Sequence, residues 1–177
     1  AAMRQAGIPA VVNERDGYFE AQEIQLLLSL LQIIDNPEQD LPMAAVLHSG
    51  LVGLDANELG ALRLTGEGSL WSLMPMYAEQ AQDERLVQFL GHIEHWRTLS
   101  RRHGVADLLW DIYETLDYVN YVGAMPNGLV RRANVMALYE RAKGFESSGF
   151  RGLFRFLRFV ESLRDSNQDM AVANVVT

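Results

Sequence analysis

G-Y-F-E-A-Q-E-I-Q-L-L-L-S-L-L-Q-I-I-D-N-P, from Gly17 to Pro37, is the stretch that decides the fold of this chain. Its apolar residues recur at helical spacing between Ile24 and Ile34, so they fall on one stripe of an α-helix. Further leucines lie outside the stripe, which predicts a central helix buried on most sides. Asn36-Pro37 should end this helix, because the residue before a proline disfavours the helical conformation.

Helical periodicity covers most of the remaining chain, and strand-like alternation is nearly absent. Asp55, with Glu58 three residues later, is a capping pattern for one helix, and Gly104 has the C-terminal glycine position of another. The predicted helices lie at 41–48, 55–64, directly after Ser69, and at 79–102, 107–116, 129–145 and 150–164, with a connector at 118–127. The sequence therefore predicts an all-α fold, an irregular domain of about seven to nine helices.

The first residues differ from this helical pattern. Pro9 to Val12 has the alternation of a strand, and a single strand needs partners to form a sheet. We therefore predict that residues 1–16 are a short helix-strand stub of a neighbouring α/β domain. Residues 17–165 are then the helical domain, and residues 166–177 are a polar tail.

Composition bounds the class of protein. The chain has 177 residues, of which 49% are hydrophobic and 21% are charged, as in an ordinary globular domain. No apolar run reaches the roughly 18 residues that cross a bilayer, and the start lacks the pattern of a signal peptide. The chain has no cysteine, which excludes disulfides and thiolate metal sites and fits a reducing compartment. We expect a cytoplasmic protein with no membrane partner.

Charge is unevenly distributed along the chain. The net charge of −8 disfavours a free-standing nucleic-acid binder, because phosphate contacts require local positive charge. Residues 1–90 carry 13 acidic and 4 basic side chains, whereas residues 91–177 carry 10 acidic and 11 basic ones. Any contact with a polyanion is therefore expected in the second half.

Several runs carry a resemblance to a known family. G-I-P-A-V-V at 7–12, G-Y-F-E-A-Q-E-I at 17–24 and I-D-N-P-E-Q-D at 34–40 resemble the region of superfamily 1 DNA helicases, of the UvrD and PcrA type, in which the second RecA-like domain, 2A, gives way to its inserted domain, 2B. The longer runs are most similar to the AddA family, the helicase-nuclease components of bacterial AddAB double-strand-break repair complexes. They are L-P-M-A-A-V-L-H-S-G-L-V-G-L, Y-V-G-A-M-P-N-G, A-N-V-M-A-L-Y-E-R-A and F-R-G-L-F-R-F-L-R-F-V.

The resemblance implies a division of the chain and a set of partners. Residues 1–16 would trail from domain 2A, and residues 17–165 would be a helical 2B domain that lies against the motor and duplex DNA. The family's motif T-I-H-x-x-K-G-L-E-F, where 2A resumes, is absent, so residues 166–177 would lead back to the motor. The parent protein would use ATP and Mg²⁺ in DNA repair and recombination beside an AddB-like partner, and this fragment would hold no cofactor.

The residue patterns that catalysis requires are missing. A phosphate-binding P-loop needs glycines followed by Lys-Ser or Lys-Thr, but the only lysine, Lys143, has neither. The family's nuclease needs Asp-Tyr-Lys, and Asp117-Tyr118 lacks the lysine. His92 and His95 could share a helix face, but with no visible third ligand we favour surface histidines. We predict no catalytic site and no metal site.

One candidate for DNA contact is the turn at Gly53 and Leu54. In UvrD-type 2B domains a G-I-G turn presents backbone amides to duplex phosphates, a contact that small residues permit. Aligned with it, H-S-G-L-V-G-L-D keeps the first glycine as Gly53 and replaces the second by Asp55. Asp55 would repel a phosphate unless it caps the next helix. A tight turn between helices, without DNA contact, fits the same residues.

The other candidate is a basic ridge near the end of the chain. Arg151, Arg155 and Arg158 lie within about 60° of one another on a helix, while apolar residues occupy much of the remaining circumference. The ridge could meet DNA phosphate, an acidic face of the motor, or only water and local acids. Arg131 and Arg132 form a further basic pair with a weaker claim.

We therefore expect a helicase segment without activity of its own. The leading hypothesis is a module that contacts duplex DNA weakly and regulates the motor. The alternative is a platform for the partner subunit without DNA contact, to which the acidic first half and the apolar turn from Leu51 to Leu54 would be suited. A small enzyme with an unfamiliar site is the third hypothesis, and no cluster of catalytic residue types supports it.

Overall fold

The computed structural model describes residues 17–176, with side chains described as far as Asn167. Over this range the chain forms one 3-10 turn and nine α-helices, and it forms no strand, so the all-α prediction is confirmed. The turn spans Tyr18–Glu20, and the helices are α1 Gln22–Asp35, α2 Asp40–His48, α3 Ala56–Arg63, α4 Leu70–Ala81, α5 Glu84–Arg102, α6 Val105–Leu116, α7 Tyr118–Gly123, α8 Gly128–Ser147 and α9 Leu153–Val176. The predicted stub at 1–16 lies outside the described residues.

The described residues fall into two compact units. The continuous unit is Leu26–His103. The split unit combines the residues up to Gln25 with those from Gly104 onward. Each unit has its own buried core, and each is described by itself below.

The helix predicted from the opening stretch is α1, and its buried side chains are those of the predicted stripe. Ile24, Leu27 and Leu31 are completely buried. Ile33, which lies outside the stripe, is equally buried, so the prediction of burial on most sides is confirmed. The helix ends at Asp35, as the Asn-Pro pair predicts.

In the continuous unit, α4 packs against α2, α3 and α5. Asp40 at the start of α2 joins two of these elements. Its Oδ2 lies 3.2 Å from Nη1 of Arg63 on α3, and its Oδ1 accepts the backbone N–H of Leu70 at 2.9 Å, at the start of α4. Arg97 on α5 donates to the carbonyl of Ile34 at 2.7 Å and so satisfies a free carbonyl at the end of α1.

The capping pattern predicted at Asp55 is present in full. The Asp55 carboxylate accepts the backbone N–H of Glu58 at 2.8 Å. The Glu58 side chain in turn accepts the backbone N–H of Asp55 at 3.1 Å. Two otherwise free donors at the start of α3 are thereby satisfied.

Replacing this cap should weaken the continuous unit. We expect Asp55→Ala to lower its free energy of unfolding by about 1 kcal/mol, because the N–H of Glu58 loses its acceptor. Asp55→Asn keeps an oxygen acceptor and should lose only a fraction of that. Urea denaturation of the three proteins measures the difference, and equal midpoints for Asp55→Ala and the unmodified chain would contradict a stabilising cap.

Two helix boundaries in the continuous unit differ from the prediction. The apolar pattern at 79–102 crosses a break, since α4 runs to Ala81 and α5 begins only at Glu84. Gln82 between them has φ +50°, a left-handed conformation that ends α4. Asp83 then caps α5 by accepting the backbone N–H of Arg85 at 3.0 Å. Apolar periodicity did not reveal the break because side chains on both sides of it reach the same core.

The predicted role of Gly104 as a left-handed C-terminal glycine is wrong. Its φ is −76°, and it is the N-cap of α6. The reason for glycine here is space, because a Cβ atom would overlap the carboxylate of Glu146. That carboxylate accepts the backbone N–H of Ala106 at 2.7 Å and caps α6 from α8.

Two further corrections concern the split unit. The segment 118–127, predicted as a connector, contains the short helix α7, whose Tyr118 and Val122 are completely buried. The last helix begins at Leu153 instead of Phe150, and it continues to Val176 instead of ending at Arg164. Its later residues are mostly exposed as far as they are described, and an exposed helix carries no apolar period from which its end could be predicted.

The core of the split unit forms where α8 packs against α6 and α7. An aromatic cluster then joins α8 to α9. Phe145 meets Phe156 edge-on at a ring-centroid distance of 5.5 Å, and its ring stacks with that of Phe150 at 5.4 Å. Leu138 and Ala142 on α8 are completely buried. The start of α9 is therefore fixed against α8 by its apolar side.

None of the helices in the described part of the chain combines the length and the apolar character that crossing a bilayer requires.

Candidate functional site

The turn predicted to contact DNA uses its backbone amides within the chain. Gly53 has φ +85°, and its N–H donates to the carbonyl of Ser49 at 2.7 Å. The N–H of Leu54 donates to the carbonyl of Leu47 at 2.9 Å, and the Leu54 side chain is 1% exposed. A phosphate at these two amides would have to displace intramolecular hydrogen bonds. The DNA contact of Gly53 and Leu54 stays a prediction.

The surroundings of this turn are also engaged. Arg85 donates to the carbonyl of Gly53 at 2.8 Å and forms ion pairs with Glu58 and Asp83. Its hydrogen bond to Asp83 lowers the pKa of that carboxyl. Asp55 is occupied as a helix cap. Arg85 beside the turn is thus paired with two carboxylates, which leaves it little attraction for phosphate.

Arg131 and Arg132, predicted as a basic pair, have different surroundings. Arg131 is 21% exposed and pairs with the buried carboxylate of Glu23, with 2.9 Å between Nη1 and Oε2. Its Nε donates to the carbonyl of Pro126 at 2.7 Å. Arg132 is half-buried, and it donates to the exposed side chain of Asn120 at 3.2 Å. Of the two, Arg132 is the one without a buried counter-charge.

The partner of Arg131 belongs to a buried polar network. Glu23 is 3% exposed, and its Oε1 accepts the amide of Asn134 at 2.8 Å. The hydroxyl of Tyr118 donates to the Glu23 carbonyl at 2.7 Å, and that of Tyr18 donates to the Asn134 carbonyl at 2.8 Å. Burial raises the pKa of Tyr118, so its hydroxyl keeps the proton that it donates. The network ties the start of α1 to α7 and α8.

A cavity of about 280 Å³ lies beside this network in the split unit. Its walls are the 3-10 turn, the start of α1 and the start of α8. Glu23 and Arg131 both line it, and they are paired with each other. Because this charge pair is balanced, the cavity has no electrostatic feature that selects a charged ligand.

The basic ridge on α9 is accessible, although one of its predicted members precedes the helix. Arg155 and Arg158 lie on the exposed side of α9. Arg151 is exposed as well, but it stands in the loop before Leu153, and the φ of +97° at Gly152 keeps that loop out of the helix. Its predicted alignment with the other two arginines on one helix face is therefore wrong.

The two helical arginines differ in their partners. Arg158 lies 3.2 Å from Glu161, and both side chains of this pair are well exposed, at 68% and 60%. Arg155 pairs with no acidic side chain among the described residues. An exposed pair such as that of Arg158 contributes about 0–1 kcal/mol, so it is readily exchanged for another anion.

Two exposed aromatic residues beside these arginines were missed by the sequence analysis. Phe154 is 62% exposed and Phe159 is 38% exposed. A signal for Phe154 existed, because it lies about 160° from Phe156 around the helix and thus opposite the buried stripe. A large apolar residue opposite an apolar stripe is the pattern to look for.

The potential metal ligands do not gather into a site. Among residues 17–167, no group of three or more histidine and acidic side chains could hold a metal ion. His92 instead packs against Trp96, with ring centroids 5.3 Å apart. Trp96 itself is buried, so this side of α5 contributes to the core of the continuous unit.

Comparison with known proteins gives consistent matches over nearly the whole chain. The AddA component of the ATP-dependent helicase/nuclease of Desulforudis audaxviator is 48% identical over 173 residues, which cover 96% of this chain and 14% of that protein. The corresponding proteins of Bacillus licheniformis and Geobacillus thermodenitrificans are 45% and 43% identical over 180 residues. These matches cover 98% and 97% of this chain. No protein-family model matches the chain.

The chain spans only a small part of these relatives, 14% to 15% of their length. The match is nevertheless continuous through both compact units. The chain therefore belongs to the AddA family of ATP-dependent helicase/nuclease proteins, of which it represents one segment.

Proposed function

We propose that this chain is the helical insertion domain 2B of an AddA-like helicase-nuclease in double-strand-break repair, and that it contacts duplex DNA through α9. The observation that carries the proposal is the pair Arg155 and Arg158 on the exposed side of that helix. In this role the domain has no catalytic step of its own. It holds the duplex while the remainder of the parent protein uses ATP and Mg²⁺.

Physical chemistry favours phosphate as the ligand of this face. Arginine presents a planar group of donors that matches the oxygens of a phosphate. Arg155 has no acidic partner among the described side chains, and the partner of Arg158 is exposed and easily exchanged. Arg151 is exposed in the preceding loop and is available to extend the contact. Phosphate contacts position DNA without reading its sequence, as a helicase requires.

Charge reversal on α9 tests the proposal. In the intact parent protein with its partner subunit, Arg155→Glu/Arg158→Glu should weaken blunt-duplex binding about 10- to 100-fold at low salt, because two phosphate contacts become repulsive. The slope of log affinity against log salt concentration should fall by about 2. Fluorescence anisotropy over a salt series measures both quantities.

The matched control reverses two exposed arginines elsewhere. Arg101→Glu/Arg102→Glu at the end of α5 introduces the same charge change in the continuous unit. It separates a local contact on α9 from a general effect of net charge, which would lower the affinity equally in both variants. An unchanged duplex affinity and salt slope in the α9 variant would reject the proposal.

The second candidate is a platform for the partner subunit. The apolar turn on which this idea rested is largely internal, since Leu54 is 1% exposed. Two other leucines favour it, because Leu41 and Leu64 in the acidic continuous unit are 85% and 86% exposed. Binding to an AddB-like partner, measured with the same arginine variants, discriminates the two candidates.

A further inference from the structure

The exposed side of α9 combines aromatic and basic groups in a regular order. Phe154 and Arg158 are four residues apart, and so are Arg155 and Phe159, which makes each pair neighbours on the helix surface. Around the helix these four side chains occupy an arc of about 140°, with the two arginines between the two phenylalanines. We call this set the α9 face.

The two phenylalanines of this face are held differently. Phe159 is 38% exposed and contacts Phe145, with ring centroids 5.4 Å apart. Phe154 is 62% exposed and has no aromatic neighbour among the described residues. Most of the Phe154 ring is thus open to solvent on a helix whose other side is fixed in the core. It is a rigidly mounted aromatic surface beside two cations.

This combination fits one class of nucleic acid better than another. A blunt duplex offers phosphates to the arginines, but its stacked base pairs offer no free flat surface to a phenylalanine ring. A strand with unpaired bases offers both groups, and stacking of bases on aromatic side chains beside a basic groove is the usual mode of single-strand binding. An acidic protein surface would satisfy the arginines and would leave Phe154 without a matching group.

We propose that the α9 face binds the single-stranded part of a duplex with an unpaired tail, with Phe154 stacking on a base and Arg155 and Arg158 on the adjacent phosphates. This inference rests on the proposed function and deepens it, since it names the DNA form that α9 prefers. The junction between duplex and unpaired strand is then the preferred ligand.

A second exposed aromatic residue provides an internal contrast. Trp110 on α6 is 43% exposed, and its ring N–H donates to the carboxylate of Glu114 at 3.0 Å. Asp107 and Asp111 lie on the same helix. Trp110 therefore offers an aromatic ring in acidic surroundings, which repel a nucleic acid strand. Its truncation is the matched control for that of Phe154.

The experiment compares two DNA forms and two single variants in the intact parent protein with its partner subunit. The probes are a blunt duplex and the same duplex with a tail of unpaired thymidines. Phe154→Ala should lower the affinity for the tailed form about five- to tenfold and change that for the blunt form by less than about twofold. Phe154→Trp should restore tailed binding, and Trp110→Ala should change neither.

A spectroscopic readout tests the stacking directly. An adenine analogue, 2-aminopurine, placed in the tail next to the junction should change its fluorescence on binding to the unmodified protein and to Phe154→Trp, and not on binding to Phe154→Ala. Circular dichroism of each variant confirms that α9 stays folded, as expected for a side chain that is 62% exposed.

The outcomes separate this inference from the proposed function. Loss of the preference for the tailed form in Phe154→Ala supports stacking, whatever the arginine variants do to blunt duplex. Equal affinity losses for both DNA forms, or none, overturn stacking even if Arg155→Glu/Arg158→Glu abolishes duplex binding. Weaker binding of the partner subunit by Phe154→Ala, with the preference for tailed DNA intact, also overturns it and identifies a protein contact instead.

Discussion

Glu23→Ala should destabilise the split unit by about 3 kcal/mol, because it leaves a largely buried arginine without its counter-charge. The carboxylate of Glu23 is 3% exposed and accepts from Arg131 at 2.9 Å and from Asn134 at 2.8 Å. Both donors would lose a partner where water has little access. Chemical denaturation and hydrogen exchange of the α8 amides measure the loss.

Two controls test the cause of this loss. Glu161→Ala removes an exposed ion pair with Arg158 and should change the free energy of unfolding by less than about 1 kcal/mol. The double variant Glu23→Ala/Arg131→Ala should be less destabilised than the sum of its single variants, because no unpaired charge remains. Additive losses would contradict the interaction between the two side chains.

Phe156→Ala should destabilise the same unit by about 3–5 kcal/mol, since it empties a completely buried site. The ring of Phe156 meets Phe145 at 5.5 Å and Phe159 at 6.4 Å, so its removal opens the aromatic cluster that holds α9 against α8. The midpoint of thermal unfolding should fall, and exchange of the α9 amides should become faster.

The matched control is the same substitution two residues earlier. Phe154→Ala removes a ring that is 62% exposed, and we expect it to change the free energy of unfolding by less than about 1 kcal/mol. Comparable losses from the two variants would mean that Phe154 also contributes to the core. The same comparison supports the use of Phe154→Ala in binding experiments, because a stable variant reports on DNA contact alone.

Much of the fold was predictable because its signals are local. The end of α1 before Asn36-Pro37 and the cap at Asp55 depend on residues only a few positions apart. The predictions failed where a left-handed residue divides a continuous apolar pattern, as at Gln82, and where a helix is mostly exposed, as in the later turns of α9. Gly104 misled because its reason is the distant carboxylate of Glu146.

The candidate site was predictable only as a set of residue types. Arg131 and Arg155 are alike in the sequence as members of basic runs, yet one is paired in a buried network and the other is exposed. The partner of Arg131 is 108 positions away in the chain, and no local pattern indicates such a contact. Phe154 belongs to an apolar run and is nevertheless open to solvent.

The sequence by itself determined the helical class, the central helix α1 and the family to which the chain belongs. These follow from periodicity, caps and similarity, which are properties of residue order. Tertiary structure alone decided which arginines can meet a phosphate, which amides of the turn at Gly53 are occupied and which phenylalanines face water. Exposure and pairing depend on elements that are distant in the chain and become neighbours only when the helices pack.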